Sequence, residues 1–486
     1  MATSPTTANR RLPIRPRALG ILAAAVLVAV AGVVAGSPGL GALLTSAVPG
    51  NAASLPSRAP VGVDADPGAD PLTIPGTGVD YPAPGSLALL DHNIGLWTRN
   101  VEANPQDFVS TTNLAILYHA RARLTADLAD HERALEAART AIRIAPAETQ
   151  ARVLEAAIVY SLHDFRGAFA AADALFREQP TELGALATRA DAEIELGDLE
   201  AARTDLARLQ AAAPGPATDI RLARLAAVSG DLEGAMATAR EARDAAVADG
   251  TDPGFYEYAL AEYERNAGNA DAAEAGYEAA LAIRATDLGA LLGLARIQAW
   301  DGRLDAAIAT LQSATSIAPT PEAEGLLGDL LVLRGAPGDA AAAEAAYGTV
   351  RLTRTLSTIA GSVYDRTLVR FDIDHRATTA ATVDEARAGL AERTDSGAHD
   401  LLAWALHGVG RDDAAWVESQ AAMSAGAADG RTLFHAGVIA AGRGDTATAR
   451  GLLDRALALG PALDPLERSG AQTTRDQLGM APMAMP

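Results

Sequence analysis

The sequence contains no cysteine and no lysine, and aromatic residues make up only 4% of it. A chain without cysteine forms no disulfide, has no thiolate metal ligand and cannot be lipidated on an N-terminal cysteine. A chain without lysine uses arginine for every basic side chain. With abundant alanine, glycine and aspartate, this indicates the coding bias of a high-GC bacterium. The scarcity of aromatic residues favours thin, closely packed helices over a broad aromatic core.

Basic charge is also in short supply, with 40 basic residues against 61 acidic ones and a net charge of −21. An acidic chain without a basic stripe is a poor partner for nucleic acid or for anionic lipid headgroups. The hydrophobic content of 49% nevertheless predicts a folded protein, and 486 residues exceed what one compact core holds. We therefore expect several domains or an array of repeats, with no nucleic-acid partner.

The N-terminal region has the pattern of an export signal or a membrane anchor. Residues 1–17 are arginine-rich, and residues 18–36 carry no charge. As a helix, residues 18–36 would be about 28 Å long, close to the thickness of the hydrocarbon core of a bilayer. The arginines favour the cytoplasmic side, which predicts a single-pass anchor with the rest of the chain outside the cell membrane. The alternative is a signal peptide that is cleaved near Ala35 or Ala52, so that the protein is secreted. Residues 37–85, rich in proline and glycine, are predicted to be a disordered linker.

From about residue 86 the hydrophobic pattern is helical, and it repeats at intervals close to 34 residues. The clearest markers are the glycines Gly197, Gly230, Gly268, Gly302, Gly335, Gly410 and Gly444. Seven residues before them stand Ala190, Ala223, Ala261, Ala295, Gly328, Ala403 and Gly437. Five residues after them stand Ala202, Ala235, Ala273, Ala307, Ala340, Ala415 and Ala449. Several units are closed by a proline, at Pro146, Pro180, Pro214, Pro319 and Pro461.

Each recurring residue type has a structural role. Glycine takes the left-handed conformation that ends a first helix and starts a short turn. The alanines let two antiparallel helices approach closely, where a larger side chain would hold them apart. Proline stops the second helix, because the residue before a proline does not readily stay helical. One such hairpin cannot bury its apolar face alone, so the pattern predicts that neighbouring hairpins stack.

Residues 107–463 resemble the tetratricopeptide repeat family, whose helical hairpins of about 34 residues stack into a solenoid. The segments that carry the resemblance include GDLEAARTDL, GNADAAEAGYEAAL, GRLDAAIATLQSATSIAP and GDTATARGLLDRALALGP. The leading tryptophan of the family is absent, insertions are expected near residues 126–130 and 336–339, and residues 357–395 cannot be placed in phase. The resemblance implies an all-α fold, an α-solenoid of about ten antiparallel helix pairs wound into a right-handed superhelix.

The two ends of the array are predicted to be capped. Residues 86–106 are expected to form an N-terminal capping helix and residues 464–478 a C-terminal one, because a soluble solenoid needs polar outer faces at its ends. Residues 479–486 are expected to be a methionine-rich flexible tail.

The resemblance also implies a concave groove, lined by the first helix of each pair, that binds a peptide or a protein partner. Aromatic and arginine side chains are the candidates on this face, because these residue types often dominate binding energy. The candidates are Tyr160, Arg224, Phe255, Tyr258, Arg265, Arg296, Trp404, His407, Arg431 and Phe434, with Asp191 and Glu262 beside them. The alternative is that several of them fill the shoulders between adjacent repeats. The peptide-carboxylate clamp known in the family depends on lysine and is not expected here.

The titratable residues predict neither catalysis nor a cofactor. No two histidines are three or four residues apart, and there is no HExxH motif and no serine with a partnered base. Asp372, Asp374 and His375 form a polar cluster that is predicted to be an exposed helix end rather than a metal site. The sequence therefore predicts a non-enzymatic protein-interaction scaffold outside the membrane. The alternative is an exported protein that binds a peptide or a metal, with Cu(I) held by the tail methionines Met480, Met483 and Met485.

Overall fold

A computed structural model describes residues 87–125, 127–360, 366–424 and 429–480. In these ranges the regular structure is entirely helical, with 22 α-helices and one short 3-10 helix, Gly460–Ala462. The α-helices are α1 (Leu87–Ala103), α2 (Phe108–Thr125), α3 (Leu128–Ile144), α4 (Thr149–Ser161), α5 (Phe165–Glu178), α6 (Leu183–Leu196), α7 (Leu199–Ala212), α8 (Pro216–Val228), α9 (Leu232–Ala248), α10 (Gly254–Asn266), α11 (Ala270–Ile283), α12 (Leu288–Trp300), α13 (Leu304–Ile317), α14 (Pro321–Arg334), α15 (Asp339–Ala360), α16 (Arg366–Asp374), α17 (Ala380–Glu392), α18 (Ser396–Gly408), α19 (Asp412–Ser424), α20 (Gly430–Gly442), α21 (Thr446–Ala458) and α22 (Pro465–Met480).

The helices pack as hairpins that stack in the order of the sequence. Ten successive pairs run from α2 and α3 to α20 and α21 in the described residues, and the two helices of each pair contact each other. Helix α1 packs on α2 before the first pair, and α22 packs on α20 and α21 after the last one. The prediction of an all-helical solenoid is thereby confirmed.

The predicted N-terminal segments lie outside the described residues. These are the arginine-rich residues 1–17, the apolar residues 18–36 and the linker 37–85, and the end of the tail, residues 481–486, also lies outside. Across the ranges that the structure describes, no helix is both long and apolar enough to cross a membrane. The anchor and its signal-peptide alternative therefore stay predictions.

The turn within a pair follows from a glycine and the aspartate after it. Gly197 ends α6 with a φ of 86°, in the left-handed region that a residue with a Cβ adopts only under strain. The side chain of Asp198 then accepts a hydrogen bond from the backbone N–H of Ala201 and so caps α7. At the far end of a pair, Pro180 directly follows Gln179, the residue that ends α5.

The recurring alanines lie where the helices of a pair meet. Ala190 and Ala202, seven residues before and five after Gly197, are both fully buried. Ala340 differs, because it is exposed, and Ala343 is buried in its place. The prediction for Ala340 is wrong because Gly338 and Asp339 form the turn here. The turn comes three residues later than Gly335 and shifts α15 by three residues.

The shifted register makes Tyr347 of α15 the counterpart of Tyr277 of α11. The Tyr277 hydroxyl donates a hydrogen bond to Glu262 on the first helix of its own pair, and the Tyr347 hydroxyl donates one to Asp329 at 2.7 Å. A buried hydroxyl needs such a partner, so each tyrosine fixes the spacing of its pair.

Position 328 requires glycine, because Tyr347 occupies the space that a side chain would need. A Cβ on Gly328 would lie 2.3 Å from Cε1 of Tyr347. Gly328→Ala is therefore expected to lower the free energy of unfolding by about 1–3 kcal/mol through overpacking, despite the better helix propensity of alanine. Urea denaturation followed by circular dichroism measures the change.

Gly348→Ala in α15 is the matched control, because its nearest neighbour beyond the helix backbone is the end of the Arg351 side chain at 3.9 Å. This substitution is expected to stabilise the protein by up to about 1 kcal/mol. Equal effects of the two substitutions would contradict the packing argument.

The stacked pairs meet again after about six repeats. Arg393 Nε, in the loop after α17, donates to the carbonyl of Glu195 at the end of α6 at 3.0 Å, across 198 residues. Arg265 Nη1 on α10 lies 3.4 Å from the carbonyl oxygen of Ala462, across 197 residues. Because the two separations agree, the later turn of the superhelix follows the earlier turn in register.

Candidate binding cavity

In several pairs, the side chain six residues before the marker glycine lies on the first helix and bonds to another element. Arg224 pairs with Glu195, and Arg296 pairs with Glu322 of the next first helix. Trp404 Nε1 donates to Asp374 at 2.8 Å. The positions concerned are Asp191, Arg224, Glu262, Arg296, Asp329 and Trp404. The inner face of the solenoid is therefore a network of paired charges rather than an apolar surface.

Glu195 joins two turns of the superhelix through one carboxylate. It accepts hydrogen bonds from Arg224 and from Arg393, and from the Tyr160 hydroxyl at 3.4 Å. Arg224 Nη1 also donates to the Tyr160 oxygen at 2.8 Å. Burial and, after it, the nearby Arg366 guanidinium lower the pKa of Arg393 to about 10. This contact is thus held by charges that are largely removed from water.

Asp464, the residue before α22, makes the equivalent connection near the C-terminal end. It accepts hydrogen bonds from Arg296 of α12 at 2.7 Å and from Arg431 of α20 at 2.8 Å. Arg431 also pairs with Glu467 in the first turn of α22. Burial acts to raise the pKa of Asp464, but Arg296 and Arg431 outweigh it and hold the pKa well below its ordinary value. Asp464 is therefore an ionised carboxylate between two arginines.

The predicted aromatic residues lie mostly between adjacent repeats. The Trp404 ring stacks on His407 at 5.1 Å and on His435 at 4.2 Å, and Phe434 lies 5.8 Å away. These contacts join α18 to α20. Phe255 packs beside a core that α8, α9 and α10 share. The packing matches the alternative in which aromatic side chains fill the shoulders between repeats, and partner binding by these residues stays a prediction.

A cavity of about 900 Å³ remains between the two turns. The first turn contributes residues of α6, α8 and α10, and the second contributes residues of α16, α18 and α20 together with the loop at residues 393–395. Its lining mixes five arginines and seven carboxylates with apolar residues such as Val228 and Leu459. The volume lies within the range of pockets that bind small ligands.

A family model matches part of the helical array. Residues 265–330, from the end of α10 into α14, match the tetratricopeptide repeat family. This segment therefore contains tetratricopeptide repeats. No curated protein matches the chain.

Two solved structures are similar to parts of the chain at low sequence identity. A tetratricopeptide repeat protein from Parabacteroides merdae is 15% identical, with 55% of this chain and 97% of that chain covered and a TM-score of 0.37. A dimer of human IFIT1 with PPP-AAAA is 13% identical, with 76% of this chain and 87% of that chain covered and a TM-score of 0.42.

The fold brings three of the ten predicted groove residues to the cavity, namely Arg224, Tyr258 and Arg431. The other seven lie elsewhere in the described fold: Tyr160, Phe255, Arg265, Arg296, Trp404, His407 and Phe434. Sequence reasoning missed Arg370 and Arg393, which also line the cavity. Both belong to the irregular repeat at residues 357–395, where no periodic marker showed which residues face inward.

The polar cluster of Asp372, Asp374 and His375 lies in this irregular repeat. Its side chains bond to other groups, and not all of them are exposed. His375 contacts the carbonyl of Phe371 through Nδ1 and Asp329 through Nε2 at 3.0 Å, and it is only partly exposed. Asp372 pairs with Arg354. The prediction of an exposed helix end is therefore wrong for His375 and Asp372, and it holds for Asp374. Among the described residues, no group of three or more acidic or histidine side chains could hold a metal. Met483 and Met485 lie outside the described residues, so the Cu(I) site stays a prediction.

Two buried histidines lie between α2 and α3 of the first helix pair. The rings of His119 and His131 are 5.4 Å apart, both are almost fully buried, and none of their four nitrogens has a hydrogen-bond partner. Burial lowers the pKa of His131 to about 4, with Arg123 and His163 acting in the same direction and Asp130 opposing them. Burial also lowers the pKa of His119 well below its ordinary value.

This pair predicts acid sensitivity of the first repeat. Between pH 6.5 and 4 the unfolded histidines take up protons that the folded ones cannot, so the free energy of unfolding falls as the pH falls. For His131 alone the loss at pH 4 is about 3 kcal/mol. His131→Leu is expected to change stability by less than about 1.5 kcal/mol at pH 7 and to flatten the decline below pH 6.5. Urea titrations at pH 7 and pH 4.5 test this, and parallel pH profiles for the two proteins would contradict it.

Proposed function

We propose that this protein is a non-catalytic scaffold that binds a short extended segment of a protein partner inside its superhelix. The observation that carries the proposal is the cavity of about 900 Å³ lined by helix pairs of two successive turns. Arg224, Tyr258 and Arg431 line it and are of the residue types that often dominate binding energy. Tetratricopeptide repeats generally act by binding, so the proposal includes no chemical step.

The contacts between the turns support a narrow ligand. Arg393 with Glu195, and Asp464 with Arg296, already join the walls of the groove. A helix with its side chains is about 10–12 Å wide and would have to break these buried pairs. An extended segment of a few residues needs only the space that remains.

The proposal includes a place for the scaffold, outside the cytoplasmic membrane and tethered through residues 18–36. Its support is the charge-free run of these residues after four arginines, together with the proline-rich spacer that follows. N-terminal sequencing of the mature chain tests it. An intact N-terminus in the membrane fraction supports the tether, and cleavage near Ala35 or Ala52 supports secretion instead.

Site-specific photocrosslinking tests the interior binding site. A benzoylphenylalanine at Arg455, which is exposed and lines the cavity, is expected to link to one continuous segment of a single partner. The matched control is Val417 of α19, which is 62% exposed and does not line the cavity. Mass spectrometry identifies the linked segment. Equal yields of the same product from both positions would overturn the interior site.

A further inference from the structure

Each carboxylate that lines the cavity already bonds to another group of the protein. Glu195 binds two arginines, Asp395 binds Arg366 and Arg393, and Asp400 contacts His435 at 3.0 Å. The others either cap helices, or pair with a basic side chain: Asp198, Asp429, Glu200 and Glu262. The negative charges of the wall are therefore already matched by groups of the protein.

Two of the guanidinium groups that line the cavity, by contrast, have no such ion pair. Arg370 of α16 lines the cavity, its Nε is buried without a hydrogen-bond partner, and no ion pair of the described residues includes it. Arg455 at the cavity also has no ion pair within the described part of the chain. The cavity thus has two guanidinium groups that form no ion pair with the described residues.

The surroundings of Arg370 compensate its charge only in part. Arg431 is the largest influence, followed by burial, and both lower the pKa of Arg370. Asp374, Asp400 and Glu467 act in the opposite direction, but each already bonds to another group. Those groups are the Trp404 indole, His435 and Arg431, respectively. An anion in the cavity would supply what these carboxylates do not.

We propose that Arg370 anchors an oxyanion, a carboxylate or a phosphate group, carried by the segment that binds in the cavity. This inference rests on the proposed function and specifies its ligand chemistry. The planar guanidinium offers paired donors to either oxyanion, and a partly dehydrated site strengthens such bonds. Arg455, exposed at the same cavity, adds a second positive charge to it.

Isothermal titration with inorganic phosphate and with citrate, at ionic strength matched with sodium chloride, tests the site. Arg370→Gln is expected to weaken binding of the preferred probe by about tenfold to a hundredfold, the value of a charge-assisted hydrogen bond. Arg411→Gln is the control, because Arg411 is exposed, lies outside the cavity and has no ion pair among the described residues. It is expected to leave binding unchanged.

A second variant separates charge from geometry. Arg370→Lys keeps the charge but loses the paired donors, so it is expected to bind more weakly than the native protein and more tightly than Arg370→Gln. A preference for phosphate would indicate a phosphorylated ligand, and a preference for citrate would indicate a carboxylate, either of which supports the site.

Two results would overturn the inference. One is equal affinity of the native protein and Arg370→Gln for both probes, and the other is no binding of either probe to the native protein. Crosslinking from Arg455 to a partner segment could still succeed in both cases. The failure of the oxyanion site is thus distinguishable from the failure of the interior binding function.

Discussion

Asp464→Asn is expected to lower the free energy of unfolding by about 3–5 kcal/mol. Arg296 and Arg431 are only 10% and 25% exposed, and both donate to the Asp464 carboxylate. Asparagine has the same shape but no charge, so it removes the anion that both guanidinium groups share, while Arg296 keeps Glu322 and Arg431 keeps Glu467. The expected cost is that of two charge-assisted hydrogen bonds, each worth about 1.5–3 kcal/mol.

Urea denaturation measures this loss, and hydrogen exchange locates it. Amide protection is expected to fall in α12 and α20, the helices that carry Arg296 and Arg431, because Asp464 holds them together across the two turns. Asp454→Asn is the matched control, since the Asp454 side chain is 53% exposed and pairs with the exposed Arg475. That change should cost less than about 1 kcal/mol. Similar losses for both variants would contradict the role of Asp464.

The repeat itself could be predicted because its determinants are local. A glycine such as Gly197 and a small residue such as Ala190 act within one hairpin, so their spacing shows in the sequence. The exception, Ala340, arose from a three-residue extension of one turn, which moves every later contact of α15 without changing the composition. Periodicity predicts helices well, and it predicts their register only where the turns have equal length.

The contacts between turns could not be predicted, because their partners are nearly 200 residues apart. Nothing in the sequence around Arg393 or Glu195 indicates that the Arg393 side chain bonds to the carbonyl oxygen of Glu195. Arg265 and Arg296 were chosen as groove residues for their type and helix face, and the structure shows both bonded to the later turn of the same chain. Residue type thus located a polar inner face, but it did not reveal that the chain supplies many of the partners itself.

Such an inner face makes stability depend on matched charges. An acidic protein with few aromatic residues buries little large apolar surface per repeat, and close helix approach through alanine adds packing but little area. Paired charges then fix which turns meet, while their desolvation limits how much they stabilise the fold. The ion pair of Asp191 in α6 with Arg221 in α8 shows this opposition between pairing and desolvation most clearly.

Arg221→Met is expected to lower the free energy of unfolding by about 3–5 kcal/mol, because it leaves Asp191 buried without its partner. The two side chains are 1% and 2% exposed, and Arg221 Nε donates to both carboxylate oxygens at 3.0 and 3.1 Å. Burial raises the pKa of Asp191 above its ordinary value in spite of Arg221 and Arg224. The buried Asp191 carboxylate is therefore electrostatically unfavourable even when it is paired.

The double variant Asp191→Leu with Arg221→Met separates the energetic effect of pairing from that of burial. It removes both charges and is expected to recover most of the loss, to within about 1–2 kcal/mol of the native protein. Arg203→Met is the control, because Arg203 pairs with Glu200 in exposed positions and should change stability by less than about 1 kcal/mol. Urea denaturation of Asp191→Leu, Arg221→Met and the double variant gives the coupling energy. If the double variant instead loses the sum of the two single losses, the two charges do not stabilise each other, and the argument from their pairing is contradicted.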